Sequence, residues 1–143
     1  MKLVKTLRTL GTHARYEAHC AAQMNPGCYL CKAVPIREYK HWNIIQNEFP
    51  YDEVATESHI LVPKRHSKEE GLTVEEIQEL ADIKPDTHET YDLIMENTHK
   101  QKSIPGHFHT HLLKIRERVM TEYERPQAVF LTPQTAKLTI GRG

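Results

Sequence analysis

Apolar residues recur at steps of three and four through Leu3, Leu7, Leu10, Ala14, Ala18 and Ala21, the spacing of one helix face. A helix is expected over about residues 12–24, stopped by Asn25, Pro26 and Gly27. His41-Trp-Asn-Ile-Ile-Gln46 is rich in residues that suit a pleated surface and is closed by Asn47 to Pro50, which predicts a strand. A second strand, His59-Ile-Leu-Val62, ends at Pro63, which cannot donate to a ladder. Thr73-Val-Glu-Glu76 has the form of a capping box. Val74, Ile77, Leu80 and Ala81 follow it, and Tyr91, Ile94 and Met95 keep the same register, so one helix is expected to run to about His99, kinked or split at Pro85. Tyr91, Leu93 and Met95 also alternate as a strand would, and periodicity does not separate the two; the expectation is helix. Pro105-Gly106 marks a turn, and His107 to Ile115 alternates as a strand. From Arg116 onward, Pro126, Pro133 and Gly141 leave room for one or two short strands or irregular structure. No internal repeat or low-complexity tract is present.

A chain of 143 residues suits one domain with a closed hydrophobic core. Its 19 Lys and Arg balance 19 Asp and Glu, so no uniform field draws it to nucleic acid or an anionic membrane. The longest apolar run, Ala128 to Leu131, is far below a bilayer span. Met1 to Leu10 alternates basic and apolar residues, unlike a secretory signal, and a cytoplasmic location is expected. Three cysteines do not make a disulfide scaffold, and Cys28-Tyr-Leu-Cys31 suits a metal or a redox pair. Ten histidines are the unusual component; mostly neutral at pH 7, they can act as ligands, bases or nucleophiles.

Three of them lie at alternate positions in Gly106-His-Phe-His-Thr-His-Leu-Leu113. In a strand this spacing puts His107, His109 and His111 on one face, about 6.6 Å from neighbour to neighbour, with Phe108 and Leu112 on the core side. A purification tag would be terminal and uninterrupted, and a solvated face does not require histidine. Neutral imidazole attacks phosphorus well, and a covalent phosphoramidate divides one difficult displacement into two easier ones. The middle ring is the best buttressed. A flanking imidazole two residues away can donate a proton to a departing oxygen or position the substrate.

The run resembles the His-φ-His-φ-His-φ-φ signature of the histidine-triad (HIT) superfamily of nucleotide hydrolases and transferases, and Ser103-Ile-Pro-Gly-His107 is similar to the approach to the triad in the branch that handles dinucleoside polyphosphates. His59-Ile-Leu-Val-Pro-Lys-Arg-His66 resembles the family strand ending in Pro-Lys-x-His, and Asn47-Glu-Phe-Pro-Tyr51 the element before it. The resemblance covers about residues 28–113. It implies an α+β, HIT-like fold: an antiparallel sheet of four or five strands with a long helix and an N-terminal helix. With the length, which suits one domain over residues 1–143, it marks residues 28–113 as the core and leaves a helical extension (1–27) and a tail (114–143) outside the matched motifs.

By resemblance His109 is the nucleophile that becomes nucleotidylated, and His111 contacts the phosphate and leaving group. Ser103 would donate to a phosphate oxygen, and Asn47 would hold the ribose hydroxyls, although a plain turn asparagine before Pro50 is an equal reading. Trp42, Ile44 or Phe49 would wall the base or serve the core. Bacterial members bind a structural zinc with a Cys-x-x-Cys pair, the Pro-Lys-x-His histidine and the first triad histidine, here Cys28, Cys31, His66 and His107, a Cys2His2 set suited to that ion. A redox pair would need a βαβ context that is missing. The resemblance also implies a homodimer.

The chain departs from the family in Met95-Glu-Asn-Thr-His-Lys-Gln-Lys-Ser103, which has no glycine-rich loop for phosphate. A helix to His99 would remove one strand and take Asn97 away from the site, leaving Lys100 and Lys102 to supply charge. The expected function is a nucleotide hydrolase or nucleotidyl transferase acting on a phosphoramidate, an adenylylated compound or a dinucleoside polyphosphate. The alternative is a weakly active or inactive nucleotide-binding module that keeps the fold and the zinc. A nucleic-acid module is disfavoured by balanced charge and the lack of a basic, aromatic patch.

Overall fold

Five strands, β1 (Pro35–Glu38), β2 (Trp42–Gln46), β3 (Ala55–Pro63), β4 (Leu93–Met95) and β5 (Thr110–Ile115), form one antiparallel sheet in the order β1-β2-β3-β5-β4. The helices are α1 (Leu10–Ala22), the single turn α2 (Tyr29–Lys32) and α3 (Val74–Thr90). The computed structural model describes residues 1–22, 27–101 and 104–123. This is the expected α+β architecture with an antiparallel sheet, a long helix and an N-terminal helix. No helix among the described residues is long and apolar enough to cross a membrane.

β3 is the central strand and is covered on both faces, which is why Ile60-Leu-Val62 is apolar without interruption. Leu61 packs with Trp42, Ile44, Ile83, Phe108 and Leu112 on the α3 side. Ile60 and Val62 pack with Ile45 and Leu30 on the α2 side. The Trp42 indole N–H donates to the Glu76 carbonyl at 2.9 Å, so the largest core side chain is also satisfied at its polar tip.

The capping box forms as expected: Glu76 N–H donates to Thr73 Oγ1 at 3.1 Å and Thr73 N–H to Glu76 Oε1 at 2.9 Å. Burial pushes the Glu76 carboxyl up, but hydrogen bonds from Arg65 and Thr73 outweigh it and hold it below its ordinary value. α3 is not split at Pro85, which lies on its exposed side, away from the packed face where a missing amide donor costs most.

One expectation is corrected, and two features were not legible in the pattern. The helix does not continue to His99: Tyr91 turns extended, and Leu93–Met95 forms β4 against β5, with Asp92 N–H donating to the Leu113 carbonyl at 2.9 Å. A short apolar run fits either period, and the open edge of β5 decides for strand. β1 has no counterpart in the sequence pattern, because its four largely exposed residues carry no alternation. In α1 the apolar stripe faces outward: Leu10, Ala14, Ala18 and Ala21 are all exposed, as is Leu3 ahead of the helix, while Thr12 is buried and Tyr16 and His19 are half-buried.

The helix is seated by polar contacts instead. Asp52 accepts from Thr9 N–H at 2.8 Å, from Thr9 Oγ1 at 3.2 Å and from Thr12 Oγ1 at 2.5 Å. Burial raises the Asp52 carboxyl, and these hydrogen bonds more than reverse it, leaving its pKa below the ordinary 3.8. A carboxylate with a depressed folded pKa contributes stability above its unfolded pKa and loses it as pH falls through the folded value. Asp52→Ala is expected to weaken α1 docking by about 2 kcal/mol, read as faster amide exchange in α1 with protection of β3 and β5 retained. In wild type the same loosening should set in only below pH 3.8. Equal protection of α1 in both proteins would refute the role.

Candidate functional site

β5 and the segment leading into it carry all three triad histidines on the face of the sheet opposite α3. Phe108 and Leu112 point into the α3 core, and His107, His109 and His111 are buried on the other side. Phe108 N–H donates to the Ser67 carbonyl at 2.7 Å, tying the segment to the loop after β3. His109 and His111 line a cleft of about 430 Å³ whose other walls come from α1, α2 and the β2–β3 connection. His109 is 5% exposed but lies on the floor of this cleft.

Ring tautomers follow from the neighbours. His109 Nδ1 lies 2.9 Å from the His107 carbonyl and must donate to it, so the lone pair sits on Nε2. Tyr51 Oη accepts from Asn97 Nδ2 at 2.8 Å and lies 3.4 Å from His111 Nε2, which leaves the phenol hydrogen for that nitrogen. His111 then carries its hydrogen on Nδ1, a buried atom with no partner among the described residues. Burial, then the charges of His109 and Arg8, push the His111 pKa down to about 3. The ring is neutral at pH 7. In that state it donates a hydrogen bond from Nδ1.

Beside the triad, Cys28, Cys31, His66 and His107 offer ligand atoms that all lie within 4.8 Å of one another. Cys28 and Cys31 Sγ are each 3.4 Å from His107 Nδ1, and Cys31 Sγ is 3.2 Å from His66 Nδ1. A tetrahedral ion with bonds of about 2.3 Å to sulfur and 2.0–2.1 Å to nitrogen requires ligand separations of roughly 3.5 Å. His107 Nε2–H donates to the Pro63 carbonyl at 2.9 Å, which leaves Nδ1 as the free lone pair facing both sulfurs. Burial lowers the His107 pKa, and burial followed by the Cys28 hydrogen bond raises that of Cys31. A divalent cation between them would accept the neutral imidazoles and draw off the thiol protons. The donor set fits such an ion.

Asn47 lines the cleft and also closes the turn: its Oδ1 accepts from Phe49 N–H at 3.1 Å, and its Nδ2 donates to Ser58 Oγ at 3.3 Å. Ser103 and Lys102 lie outside the described residues. Trp42 and Ile44 belong to the α3 core and do not wall the cleft, whereas Phe49 does, with Tyr16 and His19 edge-on or tilted against it at 5.5 and 5.0 Å. Asn97, beyond β4, reaches the triad through Tyr51, contrary to its expected place on a helix. His59 lies on the α3 side of the sheet, its Nδ1 2.7 Å from Tyr91 Oη.

Two residues of the site were given no role from the sequence. Tyr51 stands against His111 with ring centres 4.8 Å apart. Arg8 enters the cleft with its Nε–H donating to the Phe49 carbonyl at 2.8 Å. Tyr51 closes the Asn47-to-Tyr51 element noted in the sequence, so its position carried a signal. Arg8 lies in a segment with no motif.

No protein-family model matches the chain, and no curated protein is significantly similar to it. Among solved structures it is similar to a HIT family hydrolase from Legionella pneumophila Philadelphia 1, at 19% identity and a TM-score of 0.48, over 69% of this chain and 100% of that one. It is also similar to a HIT family hydrolase from Clostridium thermocellum Cth-393, at 18% identity and a TM-score of 0.49, over 69% of this chain and 99% of that one.

The His111 environment has a direct consequence. Its imidazole C–H resonances are expected to stay at their neutral positions from pH 8 down to about 5. Because the folded pKa is depressed, a denaturation series should lose stability as pH falls below the ordinary 6.5 toward about 3. A His111 midpoint near 6.5 would contradict the burial described.

Proposed function

We propose that this chain is a histidine-triad nucleotide hydrolase or nucleotidyl transferase that works through a covalent nucleotidyl-His109 intermediate. The observation that carries the reading is the His109 ring, held at Nδ1 by the His107 carbonyl, on the floor of a cleft large enough for a nucleotide.

In the first step His109 Nε2 forms a bond to the α-phosphorus, and the bond from phosphorus to the leaving group breaks with its electron pair on the departing atom. Positive charge on the imidazole is balanced by the His107 carbonyl at Nδ1. In the second step water adds to phosphorus as the P–N bond breaks and its electron pair returns to Nε2, and the proton lost by the water passes through solvent to the departed leaving group or remains in solvent. The sum consumes one water and releases a nucleoside monophosphate and the leaving group. His111 Nδ1–H, oriented by Tyr51 and Asn97, donates to a phosphoryl oxygen as negative charge grows there, a fixed donor of the kind that contributes most at such sites. Ser103 is assigned a second such donor role from its place before the triad, and Asn47 the ribose contact, through the amide hydrogen not given to Ser58. Phe49 and Tyr16 supply apolar wall for the base. The homodimer implied by the resemblance belongs to the same proposal.

Cys28, Cys31, His66 and His107 are read as a closed zinc site. A four-ligand zinc supplies no open position for chemistry and serves to stabilise the segment that carries the nucleophile. What supports it is the donor set, with its matched tautomer at His107.

Two measurements test these readings. Incubation with a fluorogenic adenosine phosphoramidate should give an acid-labile adenylylated protein in wild type. His109→Ala should lack the adduct and lose at least about a thousandfold in turnover. Equal turnover in both would remove His109 as nucleophile, and tight binding without turnover in wild type would favour the binding-module alternative. For the metal, elemental analysis should find zinc in the wild type and little in Cys28→Ser, and chelation should lower the melting temperature by several degrees. An unchanged melting curve together with a zinc-free protein would discard the site.

A further inference from the structure

The triad cleft adjoins a second cavity of about 250 Å³, and Arg8, Tyr16 and Tyr51 line both. Lys5, Thr6, Asn97 and Gln101 complete its polar lining, which includes no carboxylate. Arg8 is built into this boundary. Its guanidinium carbon lies 4.3 Å from the Tyr16 ring centre and 4.9 Å from that of Tyr51, and its Nε–H is held by the Phe49 carbonyl. Two aromatic faces and one carbonyl fix its plane, and no acidic side chain forms an ion pair with it among the described residues. An oriented, unneutralised guanidinium beside a second cation is a receptor for a multiply charged oxyanion.

The connection to the triad runs through one side chain. Tyr51 touches Arg8 and His111, and its hydroxyl accepts from Asn97 of the second cavity. The second cavity is therefore separated from His111, which lines the triad cleft, by the Tyr51 side chain alone.

We propose that this cavity is a leaving-group subsite for a phosphate chain, with Arg8 and Lys5 as its cations, so that the chain prefers nucleoside or dinucleoside polyphosphates to nucleotides whose leaving group is an amine. The inference rests on the reading of His109 as nucleotidyl acceptor. A phosphate leaving group takes the P–O electron pair and departs as a stable anion. An amine leaving group takes the P–N pair and needs a proton as well, which a neutral His111 is ill suited to provide.

The test compares wild type, Arg8→Gln and Lys5→Gln on diadenosine tetraphosphate and adenosine 5′-phosphoramidate at constant ionic strength. The kcat/KM ratio of the first substrate to the second is expected to fall at least about tenfold in Arg8→Gln and roughly threefold in Lys5→Gln. Equal losses on both substrates in Arg8→Gln, with the ratio unmoved in Lys5→Gln, would overturn the subsite and leave Arg8 a docking residue of α1. If wild type hydrolyses neither substrate, the nucleophile reading fails separately, and calorimetric titration of inorganic tripolyphosphate into His109→Ala decides the subsite. Binding that disappears when Arg8→Gln is added supports it; no binding to His109→Ala sinks it.

Discussion

β5 is hydrogen-bonded along both edges, to β3 and to β4, and the side-chain period of a strand is two. A slip of one residue in either ladder would exchange His111 for Leu112 on the cleft face and drive an imidazole into the α3 core. Both outcomes cost far more than a local contact, because Leu112 is fully buried among Trp42, Ile44, Leu61 and Phe108. The pairs Ile60 with His111 and His59 with Leu112 thus hold the chemistry in register through the packing on the opposite side of the sheet. Core and site are two faces of one alternation.

The same segment couples the Cys28–Cys31–His66–His107 cluster to the proposed nucleophile. The His107 ring donates from Nε2 to Pro63 and turns Nδ1 toward Cys28 and Cys31, while its backbone carbonyl sets the tautomer of His109. Anything that fixes the ring of His107 also fixes the carbonyl on which His109 depends. The four residues that could hold an ion come from three separate stretches: the α2 knuckle, the loop after β3 and the turn before β5. An ion there would join stretches that otherwise meet through few backbone hydrogen bonds, Phe108 to Ser67 being one.

Formal charge sums to zero over the whole chain, yet its placement is uneven where it matters. Asp52, depressed by its hydrogen bonds to Thr9 and Thr12, seats the start of α1, and α1 with the segment just ahead of it brings Tyr16 and Arg8 to the cleft. A carboxylate is consumed in holding the helix, and a guanidinium is left exposed to the cavity. Local electrostatics of this kind are invisible to a net charge.

The sequence by itself determined what short-range physics controls. Alternation placed His107, His109 and His111 opposite Phe108 and Leu112; Pro63 ended β3; Thr73 and Glu76 began α3; the Cys28 and Cys31 spacing marked a knuckle. Each follows from local geometry or from the contrast between apolar and polar neighbours. Tertiary structure decided the rest. Leu93–Met95 became a strand because β5 had an open edge, a fact recorded elsewhere in the chain. α1 turned its apolar stripe outward because Asp52, 40 residues from Thr12, offered its hydrogen bonds. Arg8 entered the site through a carbonyl 41 residues away, and Tyr51 met His111 across 60. Contacts at such separations depend on the closed sheet, and no local pattern along the chain encodes them.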